Sequence, residues 1–465
     1  MIDYTAGKVA EICGGRLLSG SPDVRIRHVS FDSREMQGDD LFIPVIGERV
    51  DGHRFIRSAF DNGASAALSS REDAWSGEDE GRACILVKDT VEALQALGRY
   101  RREHELRMPL VGITGSVGKT TTREMTTAAL SAGGRVTASL KNMNSQLGVP
   151  VTLCHMDETA DYAVAEMGIS LPGEMERLCA MVQPDAAVVT NIGVAHIENL
   201  GSREGICREK MKITDRLPEN GWAILNADEP LLKPYRTEKR FRTLYYGFGA
   251  DADVRAENIT LGESAAFTAV LPAFLCGEEK RIPVQLSVPG EHHVMDALSA
   301  LSAAAVLGVD PEAAAAGLAA FGGFTGRFER IALGGLLLVD DSYNANPVSM
   351  KASLAAFSRM NASRRIAVLA DMLELGPDSL KMHRETGEYA SGLPIDLFLT
   401  LGDAMKEADA ALTEAGRTVI HATDLDELVR LTAELSADGD AILLKGSHSM
   451  GLERVRRSLE QTAEP

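Results

Sequence analysis

The sequence predicts a three-domain α/β protein built on mostly parallel sheets. Its 465 residues correspond to about three domains of ordinary size. Beyond residue 108, short apolar runs alternate with helix-favouring segments, a pattern typical of parallel sheets covered by helices. The first of these runs opens directly into a glycine-rich turn, which indicates a phosphate-binding loop. These observations together predict the α/β class and a nucleotide-binding centre.

Composition excludes several functional classes. The chain is 45% hydrophobic and 25% charged, which is ordinary for a folded globular protein and excludes disorder and collagen-like repetition. Its 48 basic and 67 acidic residues give a net charge of −19, the wrong sign for coating nucleic acid or anionic lipid. We therefore expect no nucleic-acid partner and no membrane partner, and any anionic substrate must be bound by local groups.

Cysteine usage and the amino-terminal segment predict a cytoplasmic protein. No apolar stretch approaches the roughly 18 residues of a membrane helix, and the first residues lack a basic region followed by an apolar core. The six cysteines show no CxxC spacing and no histidine-rich neighbourhood, which argues against disulfides and a zinc site. We expect buried thiols at Cys13, Cys84, Cys154, Cys179, Cys207 and Cys276.

Proline and glycine positions divide the sequence into three segments. Met108 and Pro109 precede the apolar run LVGIT, so we place the first boundary there and predict an amino-terminal domain over residues 1–108. A central domain over 109–322 ends at a glycine pair that is typical of a hinge. The final segment, 323–465, contains five apolar runs separated by helical stretches, which predicts a second, Rossmann-like doubly wound unit.

The elements of the central domain follow in order. Buried strands are predicted at LVGIT, at AVAEM near 163, at AAVVTNI near 186 and at WAILN near 222, with a helix at TTREMTTAALSA. Three shorter β-type runs between 254 and 288 precede two alanine-rich helices. The amino-terminal domain is rich in arginine, which predicts either a phosphorylated ligand or solvated surface charge.

The strongest local signal is GITGSVGKTTT, which follows a predicted strand and opens a predicted helix. Backbone amides and the helix N-terminus would cradle phosphates, and Lys119 would reach the terminal phosphates. The Thr120 hydroxyl would ligate Mg²⁺. The strict P-loop pattern has glycine where this chain has Ile113. The predicted nucleotide-binding residues of this loop are Gly115, Ser116, Val117, Gly118, Lys119, Thr120 and Thr121.

Other polar groups follow strand ends, where α/β sheets bind ligands. Glu166 ends one strand and is a candidate Mg²⁺ ligand. His196 follows another strand, and a hydrogen-bonded loop histidine is the competing interpretation. Lys210 lies on a helix of mixed charge, where a solvated lysine is the default expectation.

The third domain offers similar patterns. Asp340 and Asp341 run into SYNANP, whose amide side chains fit either a ligand site or a turn. Lys445 in KGSHS invites the same two interpretations. DMLELG, from Asp371, fits a capped turn equally well.

Motifs along essentially the whole chain resemble those of the Mur ligases, ATP-dependent amide-forming enzymes of peptidoglycan synthesis. The phosphate loop is common to that family, whereas SYNANP and DMLELG resemble the member that adds D-alanyl-D-alanine to UDP-N-acetylmuramoyl-tripeptide. The motifs are DSR and DGHRFI in the first domain, TGSVGKTTT, NMNSQLGVP, AEMG and TNIGVAHIE in the second, and TGRFE, DDSYNANP, DMLELG and KGSHSM in the third.

The resemblance implies a division of roles between the domains, with ATP and two Mg²⁺ ions in the centre. By this resemblance Lys119, Glu166, His196 and Lys210 would be catalytic, and Thr120, Glu166, His196 and Lys210 would hold metal. Lys210 matches the lysine that family members carbamylate. Asn226, Asp228, Arg327 and Asp341 would contact the nucleotide. The UDP-linked substrate would meet Ser33, Arg34, His53, Asn144 and Gln146, and the dipeptide would meet Asn344, Asn346 and Lys445.

The implied reaction transfers the γ-phosphoryl group to the tripeptide carboxylate and lets the dipeptide amine attack the resulting acyl phosphate. Positioning and electrostatic stabilisation would dominate catalysis. A monomer is expected. The chain departs from the family pattern at four positions, His293, Asp296, Ala370 and His448, the first two near the expected adenine site.

Three rival hypotheses remain at this point. The fold and mechanism could serve another substrate, as in a folate polyglutamate or cyanophycin-type ligase, although SYNANP and DMLELG argue against this. A motor or switch would hydrolyse nucleotide without an acceptor, but the guanine-specific NKxD motif is absent. A catalytically silent nucleotide-binding scaffold is suggested only by the departures.

Overall fold

In the computed structural model, the described residues 1–47, 49–74, 81–140, 142–237, 240–323 and 326–463 form three main sheets. These have five, nine and six strands. In the amino-terminal part, two further short strands, β1 (Tyr4–Thr5) and β3 (Arg25–Ile26), pair with each other. The mixed, largely parallel architecture confirms the predicted α/β fold class.

The amino-terminal sheet has the strand order β2-β7-β6-β5-β4 and is parallel except for β2. The long helix α3 begins at a capping aspartate, Asp89, whose carboxylate accepts two backbone N–H groups. The elements are β1 Tyr4–Thr5, α1 Ala6–Cys13, β2 Arg16–Ser19, β3 Arg25–Ile26, β4 His28–Ser30, β5 Asp40–Phe42, α2 Ile56–Asp61, β6 Ala64–Ser69, β7 Ala83–Leu86 and α3 Thr90–His104, with short 3₁₀ turns at Gly52–Phe55 and Glu72–Ala74.

The central sheet has the order β16-β15-β14-β13-β12-β11-β8-β10-β9. It is parallel from β14 to β9, while β15 and β16 form an antiparallel edge. The elements are β8 Leu110–Thr114, α4 Lys119–Leu130, β9 Val136–Ala138, α5 Gly148–His155, β10 Tyr162–Glu166, α6 Glu174–Val182, β11 Ala186–Val189, α7 Ile197–Leu200, α8 Arg203–Met211, β12 Trp222–Asn226, β13 Arg242–Gly247, β14 Val254–Leu261, β15 Ala265–Leu271, α9 Ala273–Cys276, β16 Lys280–Gln285, α10 Glu291–Val306 and α11 Pro311–Ala319, with 3₁₀ turns at Lys212–Thr214 and Lys233–Thr237.

The position of β8 determines where the site lies. All five residues of LVGIT are buried because β8 lies between β10 and β11 and is covered on both faces. The carboxyl ends of these three parallel strands therefore meet at one edge of the sheet, where the phosphate loop follows β8. Helix α10 packs against α4, the helix that this loop opens.

The third sheet has the order β17-β18-β22-β19-β20-β21 and is parallel except for β17. Its elements are β17 Glu329–Leu333, β18 Leu336–Asp340, α12 Pro347–Phe357, β19 Arg364–Ala370, α13 Ser379–Ser391, β20 Leu397–Leu401, α14 Met405–Glu414, β21 Val419–Ala422, α15 Leu425–Leu435, β22 Asp440–Lys445 and α16 Glu453–Ala463, with 3₁₀ turns at Gly376–Asp378 and His448–Met450.

The first and second domains are joined by buried hydrogen bonds. The Arg101 guanidinium at the end of α3 is buried and donates to the Met156 carbonyl at 3.0 Å. It also forms an ion pair with Glu158 of the central domain. A buried arginine with several acceptors fixes two surfaces together, because exposing or unpairing it is costly.

Most predicted elements occur where the sequence placed them. No strand was predicted in residues 1–108, β9 and β13 were not predicted, and the hairpin strand β17 was missed as well. Its residues alternate between exposed and partly buried, because it forms the edge of the sheet, so it lacks the continuous apolar run of the other strands. The domain boundaries at 108 and 322 stay predictions. Among the described residues, no helix has the length and apolarity needed to cross a membrane. All six cysteines are free thiols, four of them buried, with Cys13 and Cys276 partly exposed.

Candidate active site

The phosphate loop, residues 115–118, is shaped by the segment that follows β11. A Cβ at Gly115 would lie 1.8 Å from the Thr190 hydroxyl, so only glycine fits this approach. Gly118 adopts a φ of 82° and starts α4. The N–H groups of Ser116 and Val117 donate to Asn191, at 3.1 Å to its carbonyl and 3.0 Å to its side chain. The structure thus differs from the predicted cradle, since these two amides point at Asn191 and the first turn of α4 offers the remaining N–H groups.

Two lysines, the half-buried Lys119 and the buried Lys210, meet at the loop. Lys119 and Lys210 both donate to the Gly115 carbonyl, at 3.0 Å and 2.9 Å. Burial lowers the pKa of both ammonium groups, and the charge of Lys119 lowers the pKa of Lys210 further. The default expectation of a solvated Lys210 is wrong, because α8 turns this side chain into the protein, where it is 2% exposed.

Glu166 is the centre of the oxygen-rich side of the site. Thr120 donates its hydroxyl to Glu166 at 2.9 Å, and Asn144 donates its side-chain amide at 2.7 Å. The buried Arg123 guanidinium lies 3.4 Å from the same carboxylate. Hydroxyl and carboxylate oxygens are the ligands that Mg²⁺ prefers, so Thr120 and Glu166 fit a hard cation.

The four predicted metal residues are not all brought together. Thr120, Glu166 and His196 line one cavity of about 290 Å³, but Lys210 does not. His196 Nδ1 lies 3.1 Å from Glu374 of the third domain. Burial lowers the pKa of His196, and the Glu374 carboxylate opposes this effect. In the described part of the chain, no cluster of three His, Cys, Asp or Glu side chains is arranged to hold a metal.

A second cavity, of about 440 Å³, lies on the other side of the phosphate loop and has the size of a nucleoside site. Asn226 lines it and donates to the Thr190 carbonyl at 2.9 Å. Asp228 is not among the lining residues; its carboxylate accepts the N–H groups of Phe248 and Gly249 and so shapes a neighbouring turn. The other lining residues include Gly118, Phe248, His293, Asp296, Arg327, Phe328 and Asp341.

Two of the departures from the family pattern face this cavity. Asp296 on α10 accepts the Thr122 hydroxyl at 3.0 Å, directly below Gly118. Burial raises the pKa of Asp296 to about 7, although the Thr122 hydrogen bond and the charge of Arg327 oppose the shift. His293 bonds to the Pro289 carbonyl and packs edge-on against Phe328. A titratable acid therefore borders the nucleoside cavity.

The third domain contributes a buried ion pair and a cation over an aromatic ring. Lys445 lies 2.6 Å from Asp341, and Asp341 also accepts the N–H of Phe328. Burial lowers the pKa of Lys445, opposed by Asp341. The Arg327 guanidinium lies 4.1 Å above the ring of Tyr343 and faces both cavities.

The SYNANP loop combines the two interpretations made from sequence. Asn346 is the N-cap of α12 in a capping box with Ser349, which is turn chemistry. Asn344 contacts Lys445 through its carbonyl at 3.2 Å. Both asparagines also line a third cavity, of about 340 Å³, together with Lys119 and His448. Ala370 is buried at the end of β19 against Gly446.

The predicted residues for the UDP-linked substrate make protein contacts. Arg34 is exposed and pairs with Asp32, and the Ser33 carbonyl accepts the side-chain amide of Asn62. His53 is buried; Ser70 N–H donates to its Nε2, so Nδ1 carries the proton toward Asp51. Gln146 donates to the Glu174 carbonyl. Their binding roles stay predictions.

Sequence reasoning missed several residues of the site. Thr190 and Asn191 hold the phosphate loop, Arg123 lies beside Glu166, and Glu374 reaches His196. The TNIG segment was the available signal for the first two, because polar residues follow a buried strand there. Nothing local in the sequence indicates the other two contacts.

Three family models match the chain over most of its length. They are described as the Mur ligase family, catalytic domain (residues 25–102), the Mur ligase middle domain (113–304) and the Mur ligase, glutamate ligase domain (326–448). Their order along the chain follows the order of the three sheets.

Full-length relatives and solved structures are also similar to the chain. The UDP-N-acetylmuramoyl-tripeptide–D-alanyl-D-alanine ligases of Bacillus subtilis and Escherichia coli are 37% and 34% identical, each over 99% of both chains. A crystal structure of MurF from Acinetobacter baumannii has a TM-score of 0.87 at 31% identity, covering 99% of both chains. The MurF ligase from Thermotoga maritima in complex with ADP has a TM-score of 0.78 at 29% identity, covering 94% of this chain and 98% of that one.

Proposed function

The chain belongs to the Mur ligase family, and on that premise we propose that it joins D-alanyl-D-alanine to UDP-N-acetylmuramoyl-tripeptide with ATP. The product is UDP-N-acetylmuramoyl-pentapeptide, a peptidoglycan precursor, with release of ADP and phosphate. One observation carries the proposal: the phosphate loop, the Thr120–Glu166 pair and a separate cavity lined by SYNANP converge at one sheet edge. Full-length similarity to relatives named for this reaction supports it.

ATP would lie across the phosphate loop, with its base in the 440 Å³ cavity and its γ-phosphate beside Lys119. The ammonium of Lys119 and the N-terminus of α4 would neutralise the transferring phosphoryl group. Asn226 and Arg327 border the nucleoside cavity, and Asp341 reaches it while paired with Lys445. Asp228 would affect nucleotide binding indirectly, through the turn at Phe248 and Gly249 that its carboxylate holds.

Mg²⁺ would be held by Thr120 and Glu166, and His196 lines the same cavity. When bound, the metal supplies positive charge at the phosphate oxygens. Two ions and a carbamylated Lys210 are part of the proposal. The lowered pKa of Lys210 supports the latter, because only a neutral amine reacts with CO₂ and the resulting carbamate is an anion suited to a cation.

The reaction needs activation because a free carboxylate is a poor acylating agent. The tripeptide carboxylate attacks the γ-phosphorus and ADP leaves, which gives an acyl phosphate. The amine of the dipeptide then attacks the acyl carbon, loses a proton and expels phosphate. The residues shared by the 290 and 340 Å³ cavities, including Lys119, Asn344 and Asn346, lie where the two substrates would meet.

Substrate binding and location complete the proposal. Ser33, Arg34 and His53 of the first domain would serve the UDP end, while Asn144 and Gln146 would serve the muramoyl side. We place the enzyme in the cytoplasm as a monomer. Six free thiols support a reducing compartment.

Phosphate release by the purified protein tests the function. ATP and Mg²⁺ are supplied with UDP-MurNAc-tripeptide, with D-alanyl-D-alanine, and with both, and products are identified by mass spectrometry. Release that requires both substrates and yields the pentapeptide mass is the expected result. Release without acceptor would instead indicate a nucleotide hydrolase, and ligation of a different substrate pair would assign another ligase activity.

A further inference from the structure

The DMLELG segment delivers a carboxylate that the proposed chemistry has not yet used. The 340 Å³ cavity is bordered by the phosphate loop, by SYNANP, by DMLELG and by KGSHS. Among its described lining residues, Glu374 is the single carboxylate, and Lys119 is the single lysine or arginine. The remaining polar groups are amides, hydroxyls and the imidazoles of His196 and His448.

Hydrogen bonds on the two residues that precede Glu374 hold its backbone in place. Its φ is 61°, a left-handed conformation that non-glycine residues rarely adopt without support from their surroundings. The N–H of Leu373 donates to the Ser447 hydroxyl at 2.9 Å, and the N–H of Met372 donates to the buried His383 at 3.0 Å. The side chain of Glu374 remains 71% exposed. The anchored backbone therefore presents a solvated carboxylate at the cavity.

The charges of the reacting groups leave one partner among them for this carboxylate. The ATP triphosphate is anionic, and the reacting end of the tripeptide is first a carboxylate and then an acyl phosphate. Each of these groups would be repelled by Glu374. Of the groups that react, the amino group of the incoming dipeptide is the organic one that carries positive charge, and an ammonium donates strong hydrogen bonds to a carboxylate.

Position supports the same assignment. Glu374 lies 3.1 Å from His196, which lines both the 290 and the 340 Å³ cavities. The carboxylate is therefore at the boundary where the acyl carbon and the acceptor would meet. His448 and Ser449 line the 340 Å³ cavity, called the acceptor cavity below, but they do not line the 290 Å³ cavity. They therefore fit the other, anionic end of a dipeptide.

We propose that Glu374 binds the ammonium group of the acceptor dipeptide and fixes its orientation, with the dipeptide carboxylate toward His448 and Ser449. This inference rests on the proposed function and adds a specificity-determining residue to it. The residue selects acceptors with a free amino group at the end that faces the phosphate loop.

A binding cycle with two ligands tests the proposal. D-Alanyl-D-alanine and its des-amino isostere, propionyl-D-alanine, are titrated calorimetrically into the full-length protein with ADP and Mg²⁺. Wild-type protein is expected to prefer the amine-bearing ligand, and Glu374→Gln to weaken dipeptide binding by roughly 2- to 5-fold while leaving binding of the isostere unchanged. Glu374→Asp should restore part of the difference, whereas Glu198→Gln, a nearby exposed glutamate outside the cavity lining, should change neither ligand.

Each other outcome is informative. Equal weakening of both ligands, or none, in Glu374→Gln would overturn the proposal. A changed Mg²⁺ requirement with unchanged dipeptide affinity would also overturn it and would assign the carboxylate to the metal instead. If wild-type protein discriminates between the ligands through Glu374 but forms no pentapeptide, the proposed function fails while this inference stands.

Discussion

Replacing Asp296 with asparagine should stabilise the protein, and the gain should grow as pH rises. Asp296 is buried on α10, where its carboxylate accepts the Thr122 hydroxyl. An asparagine has the same shape and keeps that acceptor. The groups facing the carboxylate are Arg327 before β17, Tyr246 on β13 and His293 on its own helix, and the single cation among them does not offset burial.

The magnitude follows from the pKa. Folding raises the pKa of Asp296 from 3.8 to about 7, so the folded state prefers the protonated acid. Below the lower pKa the wild-type residue has no cost, and stability is lost as pH rises toward the folded pKa, by about 1.36 kcal/mol per pH unit. The full cost above the higher pKa is about 4 kcal/mol. Asparagine does not ionise, so Asp296→Asn removes this cost.

Urea unfolding followed between about pH 5.5 and about pH 8 measures the effect. The difference in free energy of unfolding between Asp296→Asn and wild type should be about 2 kcal/mol larger at the upper end of that range than at the lower end. Asp403→Asn is the control, because that carboxylate is exposed and paired with Lys406, which lowers its pKa. Parallel stability curves for wild type and Asp296→Asn would refute the reasoning.

Three further substitutions address the phosphate loop and the buried ion pair. Lys119→Ala should reduce phosphate release by at least about 10²-fold with an unchanged circular dichroism spectrum, and substantial residual ligation would contradict its role. Gly115→Ala should raise the KM for ATP by roughly tenfold or more, because the new Cβ would lie 1.8 Å from the Thr190 hydroxyl; an unchanged KM would show that the loop yields freely. Lys445→Met should lower the free energy of unfolding by about 3 kcal/mol or more, since Asp341 would stay buried and unpaired, and a loss below about 1 kcal/mol in urea titrations would argue against this.

The fold was largely predictable because its strands carry strong local signals. LVGIT and the apolar runs that form β20 and β22 are buried on both faces, so their composition alone marks them. Strand β17, by contrast, lies at a sheet edge with one face exposed, and its mixed composition resembles a loop. Its pairing with β18 depends on the hairpin turn and on the neighbouring strands of the sheet. A local sequence pattern does not encode these contacts.

The site was predictable where one segment supplies both geometry and chemistry. The phosphate loop and Glu166 are of that kind, since the loop directly follows β8 and Glu166 is the last residue of β10. The environment of Lys210 was not, because burial depends on how α8 packs rather than on neighbouring letters. The contact between His196 and Glu374 joins residues far apart in the chain and in different domains, so only the tertiary arrangement reveals it.

The wall shared by the 290 and 340 Å³ cavities makes their ligands thermodynamically dependent on one another. Ser116, Lys119, His196, Tyr343, Asn344 and Asn346 line both spaces, so a ligand that fixes these side chains in one cavity changes what the other presents. Linkage makes that effect reciprocal: the factor by which bound nucleotide alters dipeptide affinity equals the factor by which dipeptide alters nucleotide affinity. A compound that fills the acceptor cavity will therefore bind with a strength set in part by the nucleotide concentration around the enzyme.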